Sequence, residues 1–178
     1  MAQLPEMKHM RKIILPLIFL TSFYSCSQTV RRENDYAEHV GDISFDKDID
    51  DPNFNVCDEN KVFQYYNFGK GLRYEGEKSA INQYFKDKAN LRERQGETGF
   101  LTIRFIVNCE GKTGRFRIQG MDANYKEKQF EKGLVDELLS LTRQLDGWIV
   151  ARDDKNRFDY YQYLTIKIEN GKLIEIMP

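Results

Sequence analysis

Apolar and polar residues alternate most regularly between Gly99 and Ile118. Every second residue from Leu101 to Val107 is apolar, which is the period of a strand that buries one face. The segment Glu110–Gly114 contains two glycines, which can adopt the positive φ angles that a tight turn needs. The alternation then resumes at Phe116, so the pattern predicts a β-hairpin.

Two further segments have the period of an amphipathic helix, because the residues that would share one helix face are spaced three or four positions apart. The first begins after Gly76–Lys78, and the second runs over Gln129–Leu145, where Asp146 and Gly147 end it. The residues that share one side are Ala80, Ile81, Tyr84, Phe85 and Lys88 in the first segment and Phe130, Leu134, Leu138, Leu141 and Leu145 in the second. We therefore expect two helices, each able to cover a sheet.

The C-terminal part of the chain alternates again, from Phe158 to Glu169. Asn170 and Gly171 form a pair typical of a type I′ turn, and a return strand follows at Leu173–Ile176. The residues of the long strand divide into an apolar face with Leu164, Ile166 and Ile168 and a second face with Tyr161, Tyr163, Thr165 and Lys167. The polar segment Ala151–Arg157 before this strand predicts an exposed loop.

These elements predict an α+β fold, in which a small antiparallel sheet of three to four strands has two helices packed on one face. We expect Leu101, Phe105, Leu138 and Ile166 to meet in a common interior. A chain of 178 residues that is 40% apolar has room for one core of ordinary size. We assign that core to a single domain at residues 57–178.

Charge and histidine content argue against several classes of function. The net charge of -1 creates no long-range field that would attract phosphate backbones, so we expect no nucleic-acid partner. His9 and His39 are the two histidines of the chain, which makes histidine triads and multi-histidine metal sites improbable. Adjacent carboxylates such as Asp153 and Asp154 lie in polar runs, without the environment that acid–base catalysis requires. We expect no enzyme activity, no catalytic residues, no metal and no other cofactor.

The N-terminus has the pattern of a secretory signal peptide. Basic residues within Lys8–Lys12 precede the apolar run Ile13–Leu20, which is too short for a stable transmembrane span. We assign residues 1–25 to the signal peptide. Met1 and Met10 both remain as starts of translation.

Cys26 follows Ser25 at the end of the signal peptide and resembles the lipidated cysteine of bacterial lipoproteins of the Bacteroidetes type. Acyl chains on this cysteine would hold the domain on a membrane without a spanning helix. The resemblance implies an outer-membrane, periplasm-facing location, because Ser27 is not an inner-membrane retention signal. The alternative is an ordinary leader with an incidental cysteine.

Residues 26–56 are polar and rich in aspartate, and they predict a lipid-anchored linker. Three aspartates within Asp46–Asp50 have the first spacings of an EF-hand calcium loop. Asp51 replaces the required glycine, and Cys57 stands where the bidentate glutamate belongs. A solvated acidic segment is therefore the interpretation that we adopt, and we expect no calcium site.

Cys57 and Cys109 are the pair of cysteines that remains after lipidation of Cys26. An even pair in an oxidising compartment predicts a disulfide bond, which would tie the start of the domain to the hairpin turn. Closing a loop of roughly 50 residues contributes on the order of 4 kcal/mol through the unfolded state. Two free thiols are the alternative.

The segment Lys61–Tyr74 is dense in aromatic residues and is interrupted by Gly69 and Gly71. One interpretation is a short strand or irregular segment packed on the domain. The other is that Phe63–Tyr74 forms a surface for stacking a ligand, which would make the protein a small-molecule carrier or sensor.

The order of these elements resembles the C-terminal domain of the TonB energy-transducer family, including its TolA-like variants. The resemblance lies in Gly76–Lys78, the block Gly99–Ile118, the helix through Leu138, Trp148 after that helix, and the strand Tyr163–Ile168. It implies a small sheet with an exposed edge and a capacity for protein binding. We do not expect a role in force transmission, because that role requires an inner-membrane span and a proline-rich segment that crosses the periplasm, and the sequence shows neither.

In that family an extended peptide of an outer-membrane receptor pairs with the last long strand, which is β-strand addition. Transferred to this chain, the edge is Tyr160–Lys167, and the partner-binding residues are Tyr161, Tyr163, Thr165 and Lys167. The resemblance therefore implies a membrane-anchored interaction module for an envelope protein or receptor peptide. Ordinary cross-strand stabilisation is the alternative role of these side chains, with the return strand Leu173–Ile176 covering the edge.

Overall fold

The computed structural model describes residues 41–69, 71–89 and 96–178 of the chain. Gly41–Pro178 forms one compact unit. The signal peptide, Cys26 and the first part of the predicted linker, residues 26–40, lie outside the described residues.

The described chain contains six strands, two α-helices and a 3-10 helix at Tyr65–Phe68. The strands are β1 (Val62–Gln64), β2 (Gly99–Val107), β3 (Thr113–Met121), β4 (Ala151–Arg152), β5 (Arg157–Glu169) and β6 (Lys172–Met177). The helices are α1 (Glu77–Lys88) and α2 (Lys132–Arg143).

Strand β5 is the strand to which most of the sheet is hydrogen-bonded. β2 pairs with it in antiparallel register from Gly99 opposite Ile168 to Val107 opposite Tyr160, and β3 continues the sheet beyond β2. β4 and β6 pair with β5 in antiparallel orientation, whereas β1 pairs with it in parallel orientation. The sheet order is therefore β1-β5-β2-β3, with β4 and β6 also paired to β5.

The α+β class with two helices is confirmed, but the predicted antiparallel sheet of three to four strands is wrong. The sheet is mixed and has six strands, because β1 runs parallel to β5 and β4 adds a further pair. β1 and β4 span only three and two residues, which is too short for an alternation of apolar and polar positions to be visible.

Both helices share one buried core with the sheet. Leu101, Phe105, Leu138 and Ile166 lie in one cluster of buried residues, together with Phe85 of α1. The amphipathic pattern of the second helix is longer than the helix itself, since α2 spans Lys132–Arg143 instead of residues 129–145. The apolar residues at both ends of that pattern are nevertheless buried, because the chain continues along the same core before and after the helix.

The turns follow the local sequence closely. Asn170 and Gly171 have φ angles of 49° and 75°, as a type I′ turn requires, and they join β5 to β6. The segment predicted to be an exposed loop, Ala151–Arg157, instead forms a short hairpin of β4 and β5. The carboxylate of Asp153 accepts the backbone N–H groups of Lys155 and Asn156 and so stabilises its turn.

The described part of the predicted linker, residues 41–56, packs on the sheet face opposite the helices. Ile43 is buried there against Ile106 of β2 and Tyr161 of β5. Phe54 lies on Gly114 of β3 so closely that a Cβ at that glycine would be 2.2 Å from its ring. The sheet is therefore covered on one face by helices and on part of the other by this N-terminal segment.

Arginines of the sheet hold the N-terminal segment through charged contacts. The guanidinium of Arg117 donates two hydrogen bonds of 2.8 Å to the carboxylate of Asp50. The buried guanidinium of Arg115 pairs with Glu59, and that of Arg104 donates to the carbonyl of Gly41. Bidentate pairs of this kind have a fixed geometry, so they orient the segment as well as attach it.

The pair of Asp50 and Arg117 leads to a prediction about acid stability. Arg117 lowers the pKa of the buried Asp50 carboxyl, chiefly through the hydrogen bonds between them. We expect Asp50→Asn to reduce the free energy of unfolding at neutral pH by about 1.5–3 kcal/mol, the usual effect of losing hydrogen bonds to a charged group. The stabilisation is complete above the ordinary aspartate pKa of about 3.9 and is lost as the pH falls through the lower pKa of the folded state.

Urea denaturation of wild type and variant at several pH values measures this effect. Asp48→Asn is the matched control, because Asp48 is exposed in the same turn and should change the free energy of unfolding by less than about 0.5 kcal/mol. A stability difference between wild type and Asp50→Asn that stays constant down to about pH 2 would contradict the prediction.

Candidate functional site

The four predicted partner-binding residues lie on one face of β5, but each has contacts within the domain. Tyr161 is buried under the N-terminal segment. The hydroxyl groups of Thr165 and Thr102 are 3.0 Å apart across β5 and β2. Lys167 forms an ion pair of 2.7 Å with Glu169. Of these contacts, that between Thr165 and Thr102 is a cross-strand pair, whereas Lys167 and Glu169 belong to the same strand.

Tyr163, the fourth of these residues, pairs with Tyr65 of the 3-10 helix. Their rings meet edge to face with centroids 5.2 Å apart, and their hydroxyl groups form a hydrogen bond of 3.4 Å. Burial, followed by this hydrogen bond, raises the pKa of Tyr65 to about 12. Tyr65 therefore stays neutral at physiological pH.

The edge of β5 that was predicted to receive a partner is covered by strands of the same domain. β2 pairs with one edge of β5 between Tyr160 and Ile168. On the other edge, β1 pairs with Asp159–Tyr161 and β6 pairs with Thr165–Glu169. Between them, Gln162–Leu164 has no strand partner on this edge within the described chain, so a peptide strand longer than this gap could add to β5 only by displacing β1 or β6.

The outer strands of the sheet differ in how far their free edges are covered. The backbone N–H of Ile176 in β6 donates to the side chain of Asn82 in α1, and Glu175 of β6 pairs with Lys78 of the same helix. β1 has only three residues. β3 has nine residues, and on its outer side no strand of the described chain pairs with residues 113–119.

The first half of β3 lines a groove of about 620 Å³, which we call the β3 groove. Thr113–Phe116 forms one wall, and residues of the N-terminal segment, including Ile49, form another. Arg143 at the end of α2 closes the groove, with its guanidinium 5.2 Å from the centre of the Phe116 ring. Ile118 continues the same strand and is 41% exposed.

A second groove, of about 690 Å³, lies where the aromatic segment meets the β4–β5 hairpin. We call it the arginine groove because Arg73, Arg152 and Arg157 line it. Phe68 and Leu72 contribute apolar surface from the segment for which ligand stacking was the alternative interpretation. The rest of that segment is largely packed within the domain, for example by the edge-to-face contact of Phe63 and Phe158.

The disulfide between Cys57 and Cys109 is present, as predicted, with its Cα atoms 6.1 Å apart. The buried carboxylate of Asp159 lies beside it and accepts three backbone N–H groups, from Cys57, Asp58 and Cys109, at 2.8–2.9 Å. Sequence patterns did not single out Asp159. The signal that could have done so is a charged residue between Phe158 and Tyr160 in a strand of apolar character.

The side chains of Cys57, Cys109 and Asp159 offer ligand atoms within 4.8 Å of one another, the one such group among the described residues. The two sulfur atoms are bonded to each other, so neither is a thiolate that could bind a metal. Of the three aspartates with EF-hand spacing, Asp50 is engaged by Arg117 and Asp46 caps its own turn by accepting the N–H of Asp48.

Comparison with models of known protein families finds no match, and comparison with curated proteins and with solved structures finds no significant match. The resemblance to the TonB C-terminal domain therefore stays a prediction. Within the part of the chain that the structure describes, no helix has the length and apolar character needed to cross a membrane.

The geometry around Asp159 leads to a prediction about the disulfide. We expect Asp159→Asn to lower the free energy of unfolding by about 1–3 kcal/mol, because one oxygen acceptor is replaced by a donor among buried N–H groups. Replacing both cysteines by serine should cost about 2–4 kcal/mol. The triple variant should lose less than the sum of the two effects, because both hold the Cys57 segment to Cys109 and are therefore coupled.

Chemical denaturation of the four proteins in this cycle measures the coupling. Asp153→Asn is a suitable control, since Asp153 also accepts backbone N–H groups but does so in an exposed turn. Losses that add to within about 0.5 kcal/mol would show that the carboxylate and the disulfide act independently.

Proposed function

We propose that this protein is an exported, lipid-anchored interaction module that binds an extended peptide by strand addition to the outer edge of β3. The observation that carries the proposal is the position of β3 at the end of the sheet, with residues 113–119 unpaired on their outer side within the described chain. An unpaired edge presents N–H and C=O groups to which another chain can hydrogen-bond.

The part of β3 that is regular and has no strand partner on its outer side is Phe116–Gln119, in which the carbonyl of Phe116 accepts a hydrogen bond of 2.9 Å from the guanidinium of Arg117. Before it, the register with β2 shifts between Arg104 and Ile106, and Arg115 has a φ of 53°, which together form a bulge. After it, the carbonyl of Gly120 already accepts the N–H of Lys128. A bound peptide would therefore pair over about four residues, and its affinity would depend on side-chain contacts as well as on main-chain hydrogen bonds.

Side chains of β3 suggest which peptides would be selected. Ile118 lies opposite Ile103 of the core and so faces the helix side of the sheet at its margin. Phe116 stacks on the core residue Phe105, with ring centroids 5.3 Å apart, and borders the β3 groove. Alternate residues of a bound strand would meet this apolar margin, so we expect partners with apolar residues at every second position.

The cellular setting of the proposal comes from the N-terminal sequence and from the disulfide. Cys26 follows an apolar signal-like segment, and the bond between Cys57 and Cys109 suits an oxidising compartment. An envelope protein or an outer-membrane receptor with an exposed extended segment would be the partner in that compartment. The receiving strand differs from the one that the TonB resemblance implies, because β5 is paired along one edge by β2 and over most of the other edge by β1 and β6.

Peptide selection tests the proposal without knowledge of the natural partner. Random twelve-residue peptides displayed on phage would be selected on the purified protein, and amide hydrogen exchange would locate the binding site of the selected peptides. We expect slower exchange in Phe116–Gln119 and alternating apolar residues in the peptides. Ile118→Lys should weaken binding by about tenfold or more, because a charge replaces the apolar margin of the edge.

Ile174→Lys is the matched control, since Ile174 of β6 is 46% exposed, close to the exposure of Ile118. It should leave the affinity of the selected peptides within about twofold of wild type, because it lies far from the proposed contact in the sheet order. Protection of β6 amides, or a greater loss with Ile174→Lys than with Ile118→Lys, would place binding on the other edge and refute the proposal.

A further inference from the structure

Two arginines face each other across the β4–β5 hairpin. Arg152 and Arg157 are Cα partners in this antiparallel pair, so their side chains leave the hairpin on the same side. Both are exposed, and both line the arginine groove. Like charges directly opposite each other destabilise a strand pair, so the arrangement has no structural advantage of its own.

Neither guanidinium has a hydrogen bond or an ion pair with any other residue of the described chain. The pKa of Glu110 is lowered chiefly by Lys112, with which it forms an ion pair of 2.8 Å, and only slightly by the positive charge of Arg157. In the β4–β5 turn, the carboxylate of Asp153 is engaged by the backbone of its own turn. The pair therefore keeps its hydrogen-bond donors for a group from outside the domain.

A third arginine in the groove is held in place by the backbone. Arg73 donates from Nη2 to the carbonyl of Val150 at 2.9 Å, and its guanidinium lies 5.2 Å from the centre of the Phe68 ring. Glu77, at the start of α1, is the one acidic residue that lines the groove. Three arginines against one glutamate leave the groove with an excess of positive charge.

The remaining lining of the groove is apolar. Phe68, Leu72 and Ile149 contribute side-chain surface, and Ile149 is 45% exposed. The backbone that carries Ile149 is fixed, because its carbonyl accepts the hydroxyl of Tyr160 at 3.1 Å and its N–H donates to the carbonyl of Arg73. An apolar surface of fixed shape beside paired guanidinium groups is suited to a ligand with an apolar body and an anionic end.

We propose that the arginine groove binds a small molecule in which a phosphate or a carboxylate is attached to an apolar body. The anionic group lies between Arg152 and Arg157, whose planar guanidinium groups match the geometry of such oxygens. The apolar body lies against Phe68, Leu72 and Ile149. This site is separate from β3 and does not depend on peptide binding there.

Calorimetric titration of the purified protein with four probes tests the proposal. The probes are hexyl phosphate and hexanoate, which combine both features, inorganic phosphate, which lacks the apolar body, and hexanol, which lacks the charge. We expect at least one of the first two probes to bind about tenfold more tightly than both of the others, because charge-assisted hydrogen bonds and apolar burial act together. Whichever of hexyl phosphate and hexanoate binds more tightly shows whether the site prefers a phosphate or a carboxylate.

Single substitutions locate the binding site of the better probe. Arg152→Gln and Arg157→Gln should each raise its Kd by about fivefold or more, since each removes a charged donor pair. Lys155→Gln is the matched control, because it removes the same charge from the same hairpin but does not line the groove; its effect should be under about twofold. Thermal unfolding of each variant checks that the fold is kept. If a variant is unfolded, the affinity of the wild-type protein for the probe is measured at increasing salt concentration instead, and we expect it to fall.

Hexanol binding as tightly as the anionic probes would overturn the proposal, because the arginines would then play no part. An equal loss of affinity with Lys155→Gln would refute the proposal, because binding would then depend on the general charge of the hairpin and not on the two arginines. Absence of binding by both anionic probes would also refute it.

Discussion

Pairing of β5 along both of its edges is the constraint on which the rest of the domain depends. One edge holds β2 along nine residue pairs, and the other holds β1 near the start of the strand and β6 near its end. The helices cover the face formed by β2 and β5, and the N-terminal segment reaches the opposite face through Tyr161. Because β5 is paired in this way, the two proposed binding sites lie at the margins of the sheet, at β3 and at the β4–β5 hairpin.

The two grooves lie at different margins and have different chemistry. The β3 groove adjoins a strand edge with unpaired backbone groups, which suits a polypeptide. The arginine groove adjoins a pair of opposed guanidinium groups and an aromatic segment, which suits a small anion. With the two proposed sites at different margins, a protein partner and a small ligand would not compete for one surface.

Much of the core could be predicted from the sequence because its apolar residues recur along the chain with the period of a strand or of a helix. The alternation at Leu101–Val107 and the helical spacing through Leu138 each report one buried face, and both segments meet in the core. The disulfide followed from counting cysteines, since Cys57 and Cys109 remain after Cys26 is assigned to the anchor. These inferences need only local pattern or composition.

The features that the sequence did not reveal depend on contacts between distant residues. Residues 41–56 are polar enough to predict a free linker, and they pack on the sheet because Arg115 donates to the carbonyl of Ile43 and Arg117 pairs with the carboxylate of Asp50. The pairing of β1 with β5 could not be predicted, because β1 has only three residues and these are too few to show an alternation of apolar and polar positions. The opposition of Arg152 and Arg157 depends on the register of a hairpin in a segment that reads as a loop.

The disulfide also affects how the protein would respond to proteases. It joins positions 52 residues apart, and β1, α1 and the whole of β2 lie between them. A cut of the chain anywhere between Cys57 and Cys109 would leave two fragments linked by one covalent bond, so the nicked molecule would keep its mass apart from one added water until a reductant separated its parts. A single cut within this loop therefore would not separate the C-terminal part of the domain from the residues that precede Cys57.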